Sequence, residues 1–95
     1  MGRMVALDDG RAALLVKEWT DGRRFDGRNR VSRYSGQEFR GAHLGRSAAG
    51  RWILLPWSSW QGERPLAREI SAEEAAGWFA RQGLFLPQEL EEAVV

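Results

Sequence analysis

The side chains best suited to covalent chemistry lie in one short stretch, where Tyr34, Glu38, Arg40, His43 and Arg46 follow one another. An imidazole, a phenol and a carboxylate can move protons, and guanidiniums can neutralise a phosphate, so this set could cleave a phosphodiester without a metal. Its working members would be Arg40, His43 and Tyr34. The competing expectation is structural: His43 is the only histidine of the chain, and it lies on a predicted strand.

Other chemistries lack their residues. With one histidine and no cysteine, a transition-metal cage cannot be assembled, and no metal or other cofactor is expected. Asp8 and Asp9, and likewise Asp21 and Asp26, stand beside glycines in turn-like runs, where Asp is favoured for bonding its own backbone. Gly22, Gly27, Gly36 and Gly41 do not follow a strand-to-helix phosphate-binding order, and no Gly-Lys-Ser/Thr ending exists.

Charge is unevenly distributed. The formal net charge is only +1, yet residues 23–51 carry eight Arg against Asp26 and Glu38, and residues 61–95 carry seven Glu against three Arg. The two regions either pair with each other or leave a cationic surface for an acidic partner. Messenger-cleaving bacterial toxins, which use Arg, Tyr, Lys, His and Glu, tend to be basic overall, so the ribonuclease is the alternative reading. The leading expectation is a non-enzymatic binding module, a homo-oligomer, with its surface on the basic loop 23–40. Arg23, Arg24, Arg28 and Arg30 would supply charge there. Trp57 and Trp60, three apart in a polar loop, either fold back over the helix stripe as core or rim packing, or supply the module with a surface that stacks on bases or a ligand or forms a dimer interface. Nucleic acid and protein are both open as partners; a membrane is not expected.

The elements that position these groups can be read from pattern. Ninety-five residues suit a single domain. Met4 to Leu7 and residues 12–19 read as strands joined at Asp8-Asp9-Gly10, with Leu15 and Trp19 on one face and Leu14 and Val16 on the other. Residues 21–41 read as a long loop with one short strand near 30–34. Residues 42–47 and 50–55 form a second hairpin around Ala48-Ala49-Gly50. The run Trp52 to Leu55 lacks alternation, so both its faces should be covered, and Pro56 should end it. A last strand is expected over 64–70.

Ser71 with Glu74 makes a capping box for a helix over 72–82, stopped by Gly83, with Ala72, Ala75, Ala76 and Phe79 as its packing stripe and Trp78 at the border. Pro87 opens a final short helix with Leu86, Leu90 and Val94 on one side and Glu89, Glu91 and Glu92 in water. The fold class is therefore α+β: a mainly antiparallel sheet of four to five strands in hairpins, one face covered by a C-terminal helix, plus a short final helix. No run approaches the roughly 18 apolar residues of a membrane helix, and no secretion signal is evident, so a cytoplasmic location is expected.

Over residues 12–83 the order of motifs resembles a group of small bacterial proteins without assigned activity. The likeness is carried by Lys17-Glu18-Trp19 before Asp21-Gly22, by Leu44-Gly45-Arg46, by Gly50-Arg51-Trp52-Ile53-Leu54, and by Ile70 through Trp78 with Ser71, Glu73, Glu74 and Ala75. Some members of that group carry or accompany a ribbon-helix-helix DNA-binding segment. The resemblance thus implies a sensing or dimerising module around a transcription factor or a toxin–antitoxin unit.

Overall fold

A computed structural model describes residues 2–94, with side chains through Glu91. Its elements are β1 (Arg3–Ala6), β2 (Ala12–Trp19), β3 (Arg23–Phe25), β4 (Arg30–Ser32), β5 (Arg40–Ser47), β6 (Trp52–Ser58), β7 (Arg68–Ile70), α1 (Ala72–Gln82) and α2 (Gln88–Val94). The α+β class and the antiparallel hairpins are as the sequence predicts. Strands β1, β2, β5, β6 and β7 form one sheet in that order, every neighbouring pair antiparallel. The two tight turns follow their composition, with Gly10 at φ 88° and Gly50 at φ 81°, conformations that only glycine adopts without strain.

The sheet curls on itself. Leu7 bridges Ala67 in parallel, and the Asp8 N–H donates to the Ala67 carbonyl at 2.8 Å, so the flanks of the two outer strands meet. The inner face holds Leu7, Ala13, Leu15, Ile53 and Leu55. The outer face presents Ala42, Leu44, Trp52, Leu54 and Ile70 to Ala75, Trp78 and Phe79 of α1 and Leu90 of α2. The unbroken apolar run of β6 is explained by this division, since its successive side chains enter the two clusters in turn.

Four expectations are corrected. Leu15 pairs with Ser47 but Lys17 pairs with Arg46, leaving Val16 as an extra residue in β2. One inserted residue reverses which side chains face which side. Leu15 therefore enters the inner cluster, whereas Trp19 lies outside, its ring 5.7 Å from Trp52 and 5.2 Å from Phe79.

Strand β6 also runs through Pro56 to Ser58, paired with β5 throughout. Residues 52 and 54 bond towards β7, so position 56 turns its nitrogen to the same side, where β7 has already ended at the Arg68–Leu54 pair. A missing N–H there removes no ladder bond. For the same reason the last strand is shorter than the expected 64–70: it spans 68–70, and Leu66 before it is exposed.

Helix α1 begins at the Ser71–Glu74 capping box and ends at Gly83, φ 71°. Trp78 sits at the centre of its buried face and not at the border, with its indole N–H donating to the Ala42 carbonyl at 2.8 Å. Trp78 and Phe79 are both nearly inaccessible, and such burial stabilises by about 2–3 kcal/mol per side chain. In α2, Leu90 joins the same cluster and Glu89 lies 3.6 Å from Lys17. The side chains of Glu92 and Val94 lie outside the described residues.

The bulge predicts an asymmetry between two changes at one exposed position. Val16→Ala should alter stability by under about 1 kcal/mol, because half the side chain is in water. Deleting Val16 should unfold the domain, because it puts Trp19 on the inner face. Urea denaturation followed by tryptophan fluorescence separates the two, and a deletion variant as stable as the substitution would refute the parity argument.

Candidate functional site

Residues 21–41 are more ordered than expected. Strands β3 and β4 pair as a separate hairpin, Arg23 with Ser32, Arg24 with Val31 and Phe25 with Arg30. Asp26 shapes its tip: Oδ1 accepts from the Arg28 N–H at 2.8 Å and the Asn29 N–H at 2.7 Å, and Gly27 takes φ 99°. Those two N–H groups hold the Asp26 carboxyl below the usual carboxylate range. Pairing puts Arg23, Phe25 and Arg30 on one face of the hairpin and Arg24 and Val31 on the other.

Asp21 ties this hairpin to the main sheet. Extending the β2–β5 register places Asp21 opposite Ala42, where β2 leaves the sheet and would abandon the Ala42 N–H and carbonyl. The carboxylate takes the N–H itself, at 3.1 Å, while Trp78 takes the carbonyl. Asp21 also accepts from the Ser32 hydroxyl (2.5 Å), the Tyr34 N–H (3.3 Å), the Trp57 indole N–H (3.1 Å) and the Gln82 amide (2.8 Å). Gly41 must lack a side chain here, because a Cβ would overlap the Asp21 carboxylate and stand 2.5 Å from the Ser32 hydroxyl oxygen.

Between the hairpin and the start of β5 lies an open groove of about 500 Å³, lined by Arg23, Phe25, Arg28, Asn29, Arg30, Glu38, Phe39 and Ser59. Phe25 is 67% exposed and Phe39 43%. Trp60, 52% exposed, stands behind Phe39 in an edge-on contact with 5.0 Å between ring centroids. Arg23 lies over the Trp57 ring, 5.2 Å from its centroid. Among the described residues none of Arg23, Arg24, Arg28 or Arg30 forms a salt bridge. The acidic third of the chain pairs elsewhere, Glu63 with Arg40, Glu69 with Arg11 and Arg51, and Glu74 with Arg68.

Of the six residues singled out for binding, Arg23, Arg28 and Arg30 line the groove and Trp60 backs its wall. Arg24 faces away. Trp57 is half-buried, held by Asp21 and flanked by Arg23 and His43, so the two tryptophans do not form one exposed pair. Pattern reading missed Phe25 and Phe39; the available signal was an aromatic side chain interrupting each arginine-rich stretch.

The phosphodiester-cleaving set is dispersed. Arg40 forms a two-pronged pair with Glu63, Tyr34 lies under Arg81 at 4.8 Å, and Arg46 lies over Trp52 at 4.4 Å. His43 projects from the other side of β5, its Nδ1 accepting from the Asp21 N–H at 2.8 Å, which puts the proton of the neutral ring on Nε2. Among the described residues no cluster of three His, Asp or Glu is arranged to hold a metal ion, and no helix is long and apolar enough to cross a membrane. Comparison with protein-family models, with curated proteins and with solved structures gives no match.

Two predictions follow from the anchoring. Asp21→Asn substitutes a donor for one of two acceptors that collect five hydrogen bonds, and should cost roughly 3 kcal/mol. Chemical denaturation measures the loss, and displaced Trp57 and Ala42 amide signals should accompany it; an unchanged midpoint would remove Asp21 from its central place. The second concerns the wall behind Phe39, where Arg40 and the Ser58 hydroxyl hold the Glu63 carboxyl down to about 2. Its pKa is depressed on folding, so this anchor is complete above the ordinary value of 4.5 and is lost as pH falls through about 2. Carboxyl carbon NMR should find Glu63 still ionised at pH 3 and returned to the ordinary range in Arg40→Ala; ordinary titration in the unsubstituted protein would contradict the clamp.

Proposed function

We propose that this protein is a non-enzymatic binding module that holds an anionic ligand in the groove between the β3–β4 hairpin and the start of β5. The observation that carries the reading is the set of guanidiniums without a salt-bridge partner among the described residues, Arg23, Arg28 and Arg30, beside the exposed rings of Phe25 and Phe39. Like charges lining one groove repel one another, and a domain with abundant acidic residues has the means to neutralise them. Glu63, Glu69 and Glu74 are instead paired with other arginines, and Glu38 is the one carboxylate in the groove lining. Such an arrangement is what an anion-binding surface requires and what a merely solvated hairpin does not.

The absence of a catalytic role is supported by the engagement of the reactive groups. The Nδ1 lone pair of His43 is spent on the backbone, and Arg40 is neutralised by Glu63. In the setting implied by the resemblance to small bacterial proteins, the module would serve a transcription-regulating or toxin–antitoxin unit.

Titrating the isotope-labelled protein with inorganic tripolyphosphate tests the site. Amide shifts should concentrate at residues 23–30 and 38–39 and weaken on raising salt, and Arg28→Ala with Arg30→Ala should abolish them. No shifts, or shifts spread evenly over all arginines, would overturn the reading.

A further inference from the structure

We infer that the ligand of this groove is a single-stranded oligonucleotide, an inference that rests on the anion-binding reading and adds the chemical class. The groove offers two kinds of contact at once. Guanidiniums at Arg23, Arg28 and Arg30 can neutralise successive phosphates, and the open faces of Phe25 and Phe39 can carry flat rings. Single-stranded nucleic acid presents a line of negative charge together with unstacked bases, and protein surfaces that bind it combine these same two features. An acidic peptide supplies charge but no flat rings to fill the aromatic faces. A duplex keeps its bases stacked internally, so it would use the arginines and leave Phe25 and Phe39 idle.

The geometry favours such a role in two further respects. Phe25 and Arg30 are directly opposite in the β3–β4 ladder, so a ring and a guanidinium are presented side by side from one face. Phe39 is braced by Trp60 behind it, and Arg23 by Trp57 beneath it. Only Asn29, Glu38 and Ser59 offer neutral or acidic polar groups to base edges, so binding should tolerate most sequences.

Fluorescence anisotropy with fluorescein-labelled octamers of uridine and of thymidine, an eight-base-pair duplex and octaglutamate distinguishes the outcomes. One or both single strands should bind more tightly than the duplex and the peptide, and the two octamers tell RNA from DNA. The logarithmic salt dependence should have a slope of about −2, as three phosphate contacts require. Phe25→Ala should weaken binding about tenfold with the slope unchanged, and Phe25→Trp should restore it. Because Phe25 is largely exposed, both variants should fold, which their amide spectra verify.

Octaglutamate binding as tightly as the single strands, or indifference to Phe25→Ala, would overturn the oligonucleotide and favour an acidic protein partner. Failure of every octamer while tripolyphosphate still shifts residues 23–30 would overturn this inference alone. Silence of both probes would overturn the groove itself.

Discussion

One buried carboxylate holds this architecture together. Where β2 leaves the sheet, Asp21 replaces a strand with a side chain: its oxygens accept from Ser32, Tyr34, Ala42, Trp57 and Gln82, which come from four separate parts of the chain. Only a carboxylate suits this task, because it is acceptor-only and has about four lone-pair directions on two atoms. No cation accompanies it among the described residues; neutral donors supply all the compensation that a buried charge needs. The arrangement demands Gly41 beside it, since any Cβ would occupy the space of the carboxylate. A domain of this size has about 5–10 kcal/mol of stability in total, so a hub of five hydrogen bonds is a large share of it.

The hub also explains how a hairpin of three-residue strands can stand apart from the main sheet. Two short strands are marginal in water by themselves. Here Ser32 and Tyr34 are bound to Asp21, the Gly22 N–H is bound to Gln82 of α1, and the Arg33 N–H to the Gly22 carbonyl. With the backbone secured at its base, the hairpin has no need of ion pairs at its tip, and its arginines remain available. The connection reaches the groove through Trp57, whose indole nitrogen is bound to Asp21 and whose ring supports Arg23.

Sequence pattern was informative wherever local signals and burial agree. The Ser71 cap, the Gly83 stop, the turns at Gly10 and Gly50 and the doubly buried run Trp52 to Leu55 all have short-range causes. What escaped was set at long range. The extra residue at Val16 exists only relative to its partner strand, and Pro56 is tolerated only because β7 stops two residues earlier in the ladder. The β3–β4 hairpin has no alternation to reveal it, since arginine occupies both faces and its order comes from Asp21 and Asp26. Asp21 itself read as a turn residue, because nothing in its neighbourhood announces donors that arrive from up to 61 positions away. Arginine density marked the segment that lines the groove, whereas the presence of Phe25 and Phe39 beside it depended on which way the hairpin faces.

The groove is preorganised unequally, and this bears on how a ligand would be held. Its floor is fixed, because β6 continues to Ser58 and keeps Trp57 paired with Gly41, while Glu63 fastens the following turn to Arg40 and Ser58. Phe39 and Trp60 would therefore meet a ligand with little freedom left to lose. Phe25, at the end of β3 and mostly in water, is restrained only by its pairing with Arg30 and by the Asp26 turn. Ordering a side chain on binding costs about 0.5–1.5 kcal/mol, and that cost falls on the hairpin tip and not on the floor. On the proposed anion-binding reading, the fixed wall would therefore contribute most of the affinity, and the ordering cost would fall on the tip that carries Phe25, Arg28 and Arg30.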